Sequence, residues 1–110
     1  MKTFTVLRNE QSAIKFSGEE VAFTKSSPDQ ATGSNYSGSV GHWTELTLYR
    51  TAKGKYVCER VERTQWQGAK DEYYGQVCET LEEVIKFFGH GWVAQDLYHN
   101  AGIEDVIEVE

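Results

Sequence analysis

A chain of 110 residues, 39% hydrophobic and 13% aromatic, is long enough for one domain with its own apolar core and too short for two. Charged residues at 25% exclude wholesale disorder, and no apolar run approaches the length that a bilayer requires. A net charge of −6 disfavours a polyanion spread over the whole surface.

Residues 3–8, Thr-Phe-Thr-Val-Leu-Arg, are β-branched and aromatic, and predict a first strand. Ile14 and Phe16 alternate with Lys15, Ser17-Gly18 interrupts, and Val21-Ala22-Phe23-Thr24 resumes. That pattern predicts β structure over 14–24, folded as a hairpin with Gly18 in its turn. Residues 25–42 hold five Ser, three Gly and the single Pro28 and follow neither period, which predicts a flexible Ser/Gly-rich loop within the one domain, 1–110. Tyr36 is the one large apolar side chain in it that a partner could capture.

The centre is the clearest β signal. In Trp43–Arg50, Thr44, Leu46 and Leu48 fall on one face and Glu45, Thr47 and Tyr49 on the other. Turns at 51–54 and 67–71 separate this segment from strands at 56–63 and 72–78, giving a three-stranded antiparallel meander. Thr80-Leu81-Glu82-Glu83 has the form of a capping box and opens a helix over 81–88 with Leu81, Val84, Ile85 and Phe88 in its stripe. Gly89 stops it. A second helix over 92–100 places Trp92, Val93, Asp96 and Leu97 at comparable spacings, and a last strand is expected at 105–109. The expected class is α+β: a mainly antiparallel sheet with two short C-terminal helices on one face. Leu46, Leu48, Val84, Ile85, Phe88, Leu97 and Ile107 are the expected core.

Motifs for chemistry are thin. Cys58, Cys78, His42, His90 and His99 are the whole stock of soft metal ligands, without a Cys-x-x-Cys pair or His at i, i+4, so no metal or other cofactor is expected. Cys78 precedes a helix start, yet Glu79, Glu82 and Glu83 oppose a thiolate there. Both cysteines read as buried thiols. Gly54-Lys55 lacks the glycine-rich lead of a phosphate loop. His90-Gly91 offers a helix entry where an anion can sit, although a tight inter-helix turn explains it as well. Glu82-Glu83 and Glu104-Asp105 are consecutive, so their carboxylates diverge.

Charge is unevenly distributed. Residues 1–69 hold nine bases and seven acids, whereas residues 70–110 hold ten acids and only Lys70 and Lys86. The reading this favours is a non-catalytic, acidic binding protein whose partner is another protein with a basic surface. Glu82, Glu83, Glu104, Asp105, Glu108 and Tyr36 are the candidate contacts. A special case is an inhibitor whose carboxylates imitate nucleic-acid phosphates. In size and charge alone the chain resembles small acidic phage and plasmid inhibitors, among them anti-CRISPR proteins. A second reading is single-stranded nucleic-acid binding by the meander, with Arg50, Lys53, Lys55, Arg60 and Arg63 among Tyr49, Tyr56 and Trp66. Glu45, Glu59 and Glu62 in the same strands would neutralise part of that charge. A third is a small enzyme with an unassigned site. Met1-Lys2-Thr3-Phe4 carries no signal-peptide pattern, so a cytoplasmic address and no membrane partner are expected.

Overall fold

The computed structural model describes residues 2–26, 42–64 and 70–103. Five strands precede two helices: β1 Lys2–Val6, β2 Ile14–Lys25, β3 His42–Thr51, β4 Tyr56–Thr64, β5 Glu72–Cys78, α1 Leu81–Phe88 and α2 Trp92–Ala101. The strands form one antiparallel sheet in the order β1-β2-β3-β4-β5. Both helices pack on one of its faces, α2 over β2 and β3, α1 over β4 and β5. The architecture is α+β, as the periodicities predict.

Register explains which residues are buried. Ala22, Leu48 and Cys58 stand in a row across β2, β3 and β4, with Thr24 beside Leu46. This row meets Val84, Phe88, Ala94, Leu97 and Tyr98 from the helices, together with Cys78. The opposite face carries Tyr49 and Val57, covered by Val6, Phe4, Ile14 and Phe16 from the N-terminal hairpin. Leu46, Thr47, Leu48 and Tyr49 are therefore all buried, and the alternation inside and outside seen in β3 becomes an alternation between two cores.

One irregularity permits this. Glu20 lies opposite Tyr49 but Ala22 lies opposite Leu48, so Val21 is an extra residue in β2. Phe16, Gly18 and Glu20 share the face of Tyr49, whereas Ala22 and Thr24 share that of Leu48. The bulge also bends β2 and carries the β1–β2 hairpin across the sheet. Asn9 N–H then donates to the Tyr73 carbonyl (2.9 Å), and Tyr73 N–H donates to Asn9 Oδ1 (3.0 Å). A Cβ on Gly75 would lie 2.6 Å from Val6 Cγ1, so the two segments meet at van der Waals distance only because residue 75 is glycine.

Gly18 is not in a turn. It sits mid-strand in β2, between Lys2 of β1 and Thr51 of β3, and the hairpin reverses over residues 7–13, where Glu10 takes a positive φ of 56°. A side chain at 18 would collide with the Arg50 carbonyl oxygen, so the glycine serves close backbone approach. The expected run 25–42 is shorter at its ends: Lys25 belongs to β2, Ser26 bonds to Thr44, and His42 opens β3. Its residues 27–41, Tyr36 among them, lie outside the described residues, as do Ile107 and the strand expected at 105–109.

In α1, Thr80 Oγ1 accepts from Glu83 N–H (3.2 Å) and Glu83 Oε1 accepts from Glu79 N–H (2.7 Å), a capping box whose return bond reaches one residue further back. Val84 and Phe88 are buried, whereas Ile85 is only half-buried. In α2 the buried stripe is Ala94, Leu97 and Tyr98, followed by half-buried Ala101, not the stripe through Trp92 and Asp96. The reason is that α2 is anchored by polar contacts at its side and start. Asp96 Oδ2 accepts from Thr24 Oγ1 (2.7 Å), and the buried Tyr98 hydroxyl donates to the Gly89 carbonyl (2.6 Å). Among the described residues no helix is long and apolar enough to cross a membrane.

Gly18→Ala is expected to lower the unfolding free energy by about 3 kcal/mol, because the obstacle is backbone that cannot swing aside. Urea unfolding measures it; a change under about 0.5 kcal/mol, the range of ordinary surface substitutions, would show that β2 and β3 can separate there freely.

Candidate functional site: an aromatic patch around Arg60

The basic and aromatic residues of the meander do not form one surface. Arg50 and Arg60 project to the helix side of the sheet and Arg63 to the hairpin side, as alternation along β3 and β4 requires. Arg50 lies over the Tyr56 ring, 5.6 Å from its centroid. Arg63 is held by Glu45 (3.1 Å) and Asp71 (3.1 Å). Lys55 pairs with Glu79 (3.5 Å), and Lys53 sits in the exposed β3–β4 turn. Tyr49 is buried against Phe4 and Phe16, with ring centroids 4.8 and 5.2 Å away, so it has no free face for a base. Trp66 lies outside the described residues, as do Glu104, Asp105 and Glu108. Glu82 and Glu83 are exposed in the first turn of α1, and Glu83 is engaged in the cap.

The hairpin side of the sheet holds a half-buried acid cluster. Tyr49 Oη donates to Glu59 Oε1 (3.2 Å), and Trp43 Nε1 donates to Glu45 Oε2 (2.9 Å). Burial pushes the Glu59 carboxyl above the usual carboxylate range, against bonds from Tyr49 and Thr47 that pull the other way. Burial, reinforced by Glu59, also raises the Tyr49 phenol. Asp71 is lowered by the Thr64 N–H it accepts and by Arg63.

Cys58 and Cys78 are fully buried free thiols with their sulfurs 3.7 Å apart. Burial raises both above the ordinary thiol value, so neither presents a thiolate to a substrate. Among the described residues no three His, Cys, Asp or Glu side chains group as metal ligands.

The most distinctive exposed feature lies on the helix side, where α2 begins. Trp92 is 58% exposed, the highest value among the exposed large hydrophobic side chains of the described residues. It borders a cavity of about 210 Å³ lined also by Thr44, Leu46, Arg60 and Phe88. A second cavity of about 380 Å³ lies between Arg60, Tyr74 and Phe87, so Arg60 forms a wall shared by both. Its guanidinium is fixed by Glu62 (2.6 Å) and stands 5.9 Å from the Tyr74 ring centroid, while the Tyr74 hydroxyl donates to Glu72 (2.6 Å). The result is an ordered patch of Trp, Tyr, Phe and Arg with Glu62 and Glu72 at its edge. Sequence reasoning missed Trp92 because it assigned that residue to the buried stripe. The available signal was the stripe Ala94, Leu97, Tyr98 and Ala101, which leaves Trp92 on the other side of the helix.

Compared with known protein families, with curated proteins and with solved structures, the chain finds no match.

The raised Glu59 gives a signed pH dependence. Its folded value exceeds its unfolded value, so the folded state binds the proton more tightly. That contribution is fully present below the ordinary carboxylate pKa and is lost as pH rises through the raised one. Glu59→Gln keeps an acceptor for Tyr49 and removes the buried charge. It is expected to stabilise the fold at neutral pH relative to the parent chain and to change little at acid pH. Urea unfolding at both pH values checks it, and equal effects at both would show that Glu59 is solvated.

Proposed function

We propose that this chain is a non-catalytic binding protein that docks on another protein through the patch of Trp92, Arg60 and Tyr74. The single observation behind this reading is Trp92, held out to solvent at the start of an anchored helix beside an arginine already ordered by Glu62 and Tyr74. Trp, Tyr and Arg are the residues that dominate binding energy at protein interfaces, and an ordered arginine loses less freedom when a partner closes over it.

The partner in this reading carries a basic surface. Glu62 and Glu72 edge the patch, Glu82 stands exposed on α1, and Glu104, Asp105, Glu108 and Glu110 add four acids within the last seven residues. Such charge steers encounter, while the aromatic patch holds the complex. In the narrower form of this reading the partner is a nucleic-acid-binding protein whose basic surface these carboxylates occupy. We place the chain in the cytoplasm, where two neighbouring thiols stay reduced.

The test couples two variants to one complex. Proteins captured from an extract of the host by the parent chain, and not by Trp92→Ala, are purified and their binding kinetics measured. Trp92→Ala is expected to weaken binding by about 30-fold or more through faster dissociation. Reversal of Glu104, Asp105 and Glu108 to Lys is expected to slow association and flatten its salt dependence. Unchanged affinity in Trp92→Ala, with the fold intact, would remove the patch from the interface. Salt-sensitive binding of a single-stranded oligonucleotide by the chain alone would favour the basic meander instead.

A further inference from the structure

The N-terminal hairpin does not seal against the meander along its whole length. Between the starts of β2 and β4 and the end of β5 it leaves a cleft of about 420 Å³ with Ile14, Phe16, Val57 and Val77 among its lining residues. These four lie on the hairpin side of the sheet, the face opposite the one that carries Trp92. Val57 is buried as part of the second core, whereas Val77 is 46% exposed, an aliphatic side chain facing an opening that the protein itself does not fill. A concave, mainly apolar site of this size is in the range that small ligands occupy.

The mouth is positively charged. Lys15 of β2 and Lys53 and Lys55 of the β3–β4 turn line it, three of the eleven bases of a chain whose net charge is −6. Among the described residues the one acid in ion-pair contact with any of the three is Glu79, 3.5 Å from Lys55. Lys55 shares the face of Val57 and Lys53 stands beside it in the turn, whereas Lys15 alternates with Ile14 and Phe16 and reaches the rim only from the outer face of the hairpin. The ring nearest the opening, Phe16, is packed on Phe4 and Tyr49, so it is not presented for stacking with a base. Apolar walls ask for hydrocarbon and the rim asks for an anion, and an amphiphile joins the two in one molecule.

We propose that this cleft binds a single-chain amphiphilic carboxylate, with its alkyl chain along Ile14, Phe16, Val57 and Val77 and its headgroup at Lys53 and Lys55. Burial of Val77 under the chain and neutralisation of the rim both favour the complex. A neutral alcohol of the same length obtains only the first contribution, and an inorganic anion only the second.

Two-dimensional amide NMR of the full chain, titrated separately with decanoate, 1-decanol and inorganic phosphate, tests this. Decanoate is expected to shift the resonances of Ile14, Phe16, Val57 and Val77 and to leave those around Trp92 in place. The double variant Lys53→Gln, Lys55→Gln is expected to weaken decanoate by about tenfold and to leave decanol unchanged, since both lysines are exposed and the fold does not rest on them. Val77→Asp, also at an exposed position, is expected to abolish the decanoate shifts. Absence of decanoate binding, decanol binding as tightly as decanoate, shifts centred on Trp92, or the same shifts with phosphate alone would each overturn the proposal.

Discussion

The insertion of one residue in β2 sets the geometry of everything else. Without Val21 as the extra residue, a strict alternation would carry Phe16 onto the helix side together with Ala22 and Thr24. The aromatic group of Phe4, Phe16 and Tyr49 would then be split between two faces. With the bulge, the first half of β2 serves the hairpin core and the second half serves the helix core. The bend that accompanies the bulge brings Asn9 to Tyr73, a contact spanning 64 residues of sequence. Among the described glycines, Gly18 and Gly75 are the two where backbone or side chain from the neighbouring segment comes too close for a Cβ.

A sheet covered on both faces must satisfy its polar side chains internally, and this one does so in pairs. Thr24 gives its hydroxyl proton to Asp96, Tyr49 to Glu59 and Tyr98 to the carbonyl that ends α1. Among the described residues no buried side-chain nitrogen or oxygen lacks a partner. The same pairing consumes charge: Arg60 with Glu62, Arg63 with Glu45 and Asp71, and Lys55 with Glu79. The described residues hold eleven bases and twelve acids, close to balance, so most of the net negative charge belongs to the remaining sequence, above all to residues 104–110. These surface pairs add little stability. Their effect is to fix arginine side chains in place.

Where local pattern and tertiary structure agree, the sequence was readable. The alternation in Trp43–Arg50 assigns Leu46 and Leu48 to one face and Thr47 and Tyr49 to the other, and Thr80 to Glu83 marks the start of α1 within one residue. Where the outcome depends on contacts distant in sequence, it was not. The Ser17-Gly18 step looks like a hairpin turn, because glycine for a turn and glycine for close approach are the same letter, and only the position of Arg50 separates them. A bulge leaves no mark in a two-residue period. The stripe of α2 was misread because Trp92 is more hydrophobic than Ala94 and Ala101, yet the small residues are the ones that let the helix lie close to β2 and β3. The exposed tryptophan was hidden by the rule that large apolar residues belong inside.

The contacts that hide Trp92 from sequence reasoning also hold it in place for the docking proposed above. Its backbone opens α2, and α2 is held by the Tyr98 bond to Gly89 behind it and by Asp96 to Thr24 at its side. Arg60 is a β4 residue flanked by Leu46 on β3 and Tyr74 on β5, in the middle of three paired strands. The two residues therefore sit on elements tied to the same core, and neither depends on a loop for its position. For a partner closing over them, the ordering loss is confined to side-chain rotamers, and for Arg60 the bond to Glu62 has already taken part of it. In the docking proposed above, preorganisation of this kind acts on residence time and net charge acts on encounter. In that proposal the two contributions rest on different residues, which makes them separable by substitution.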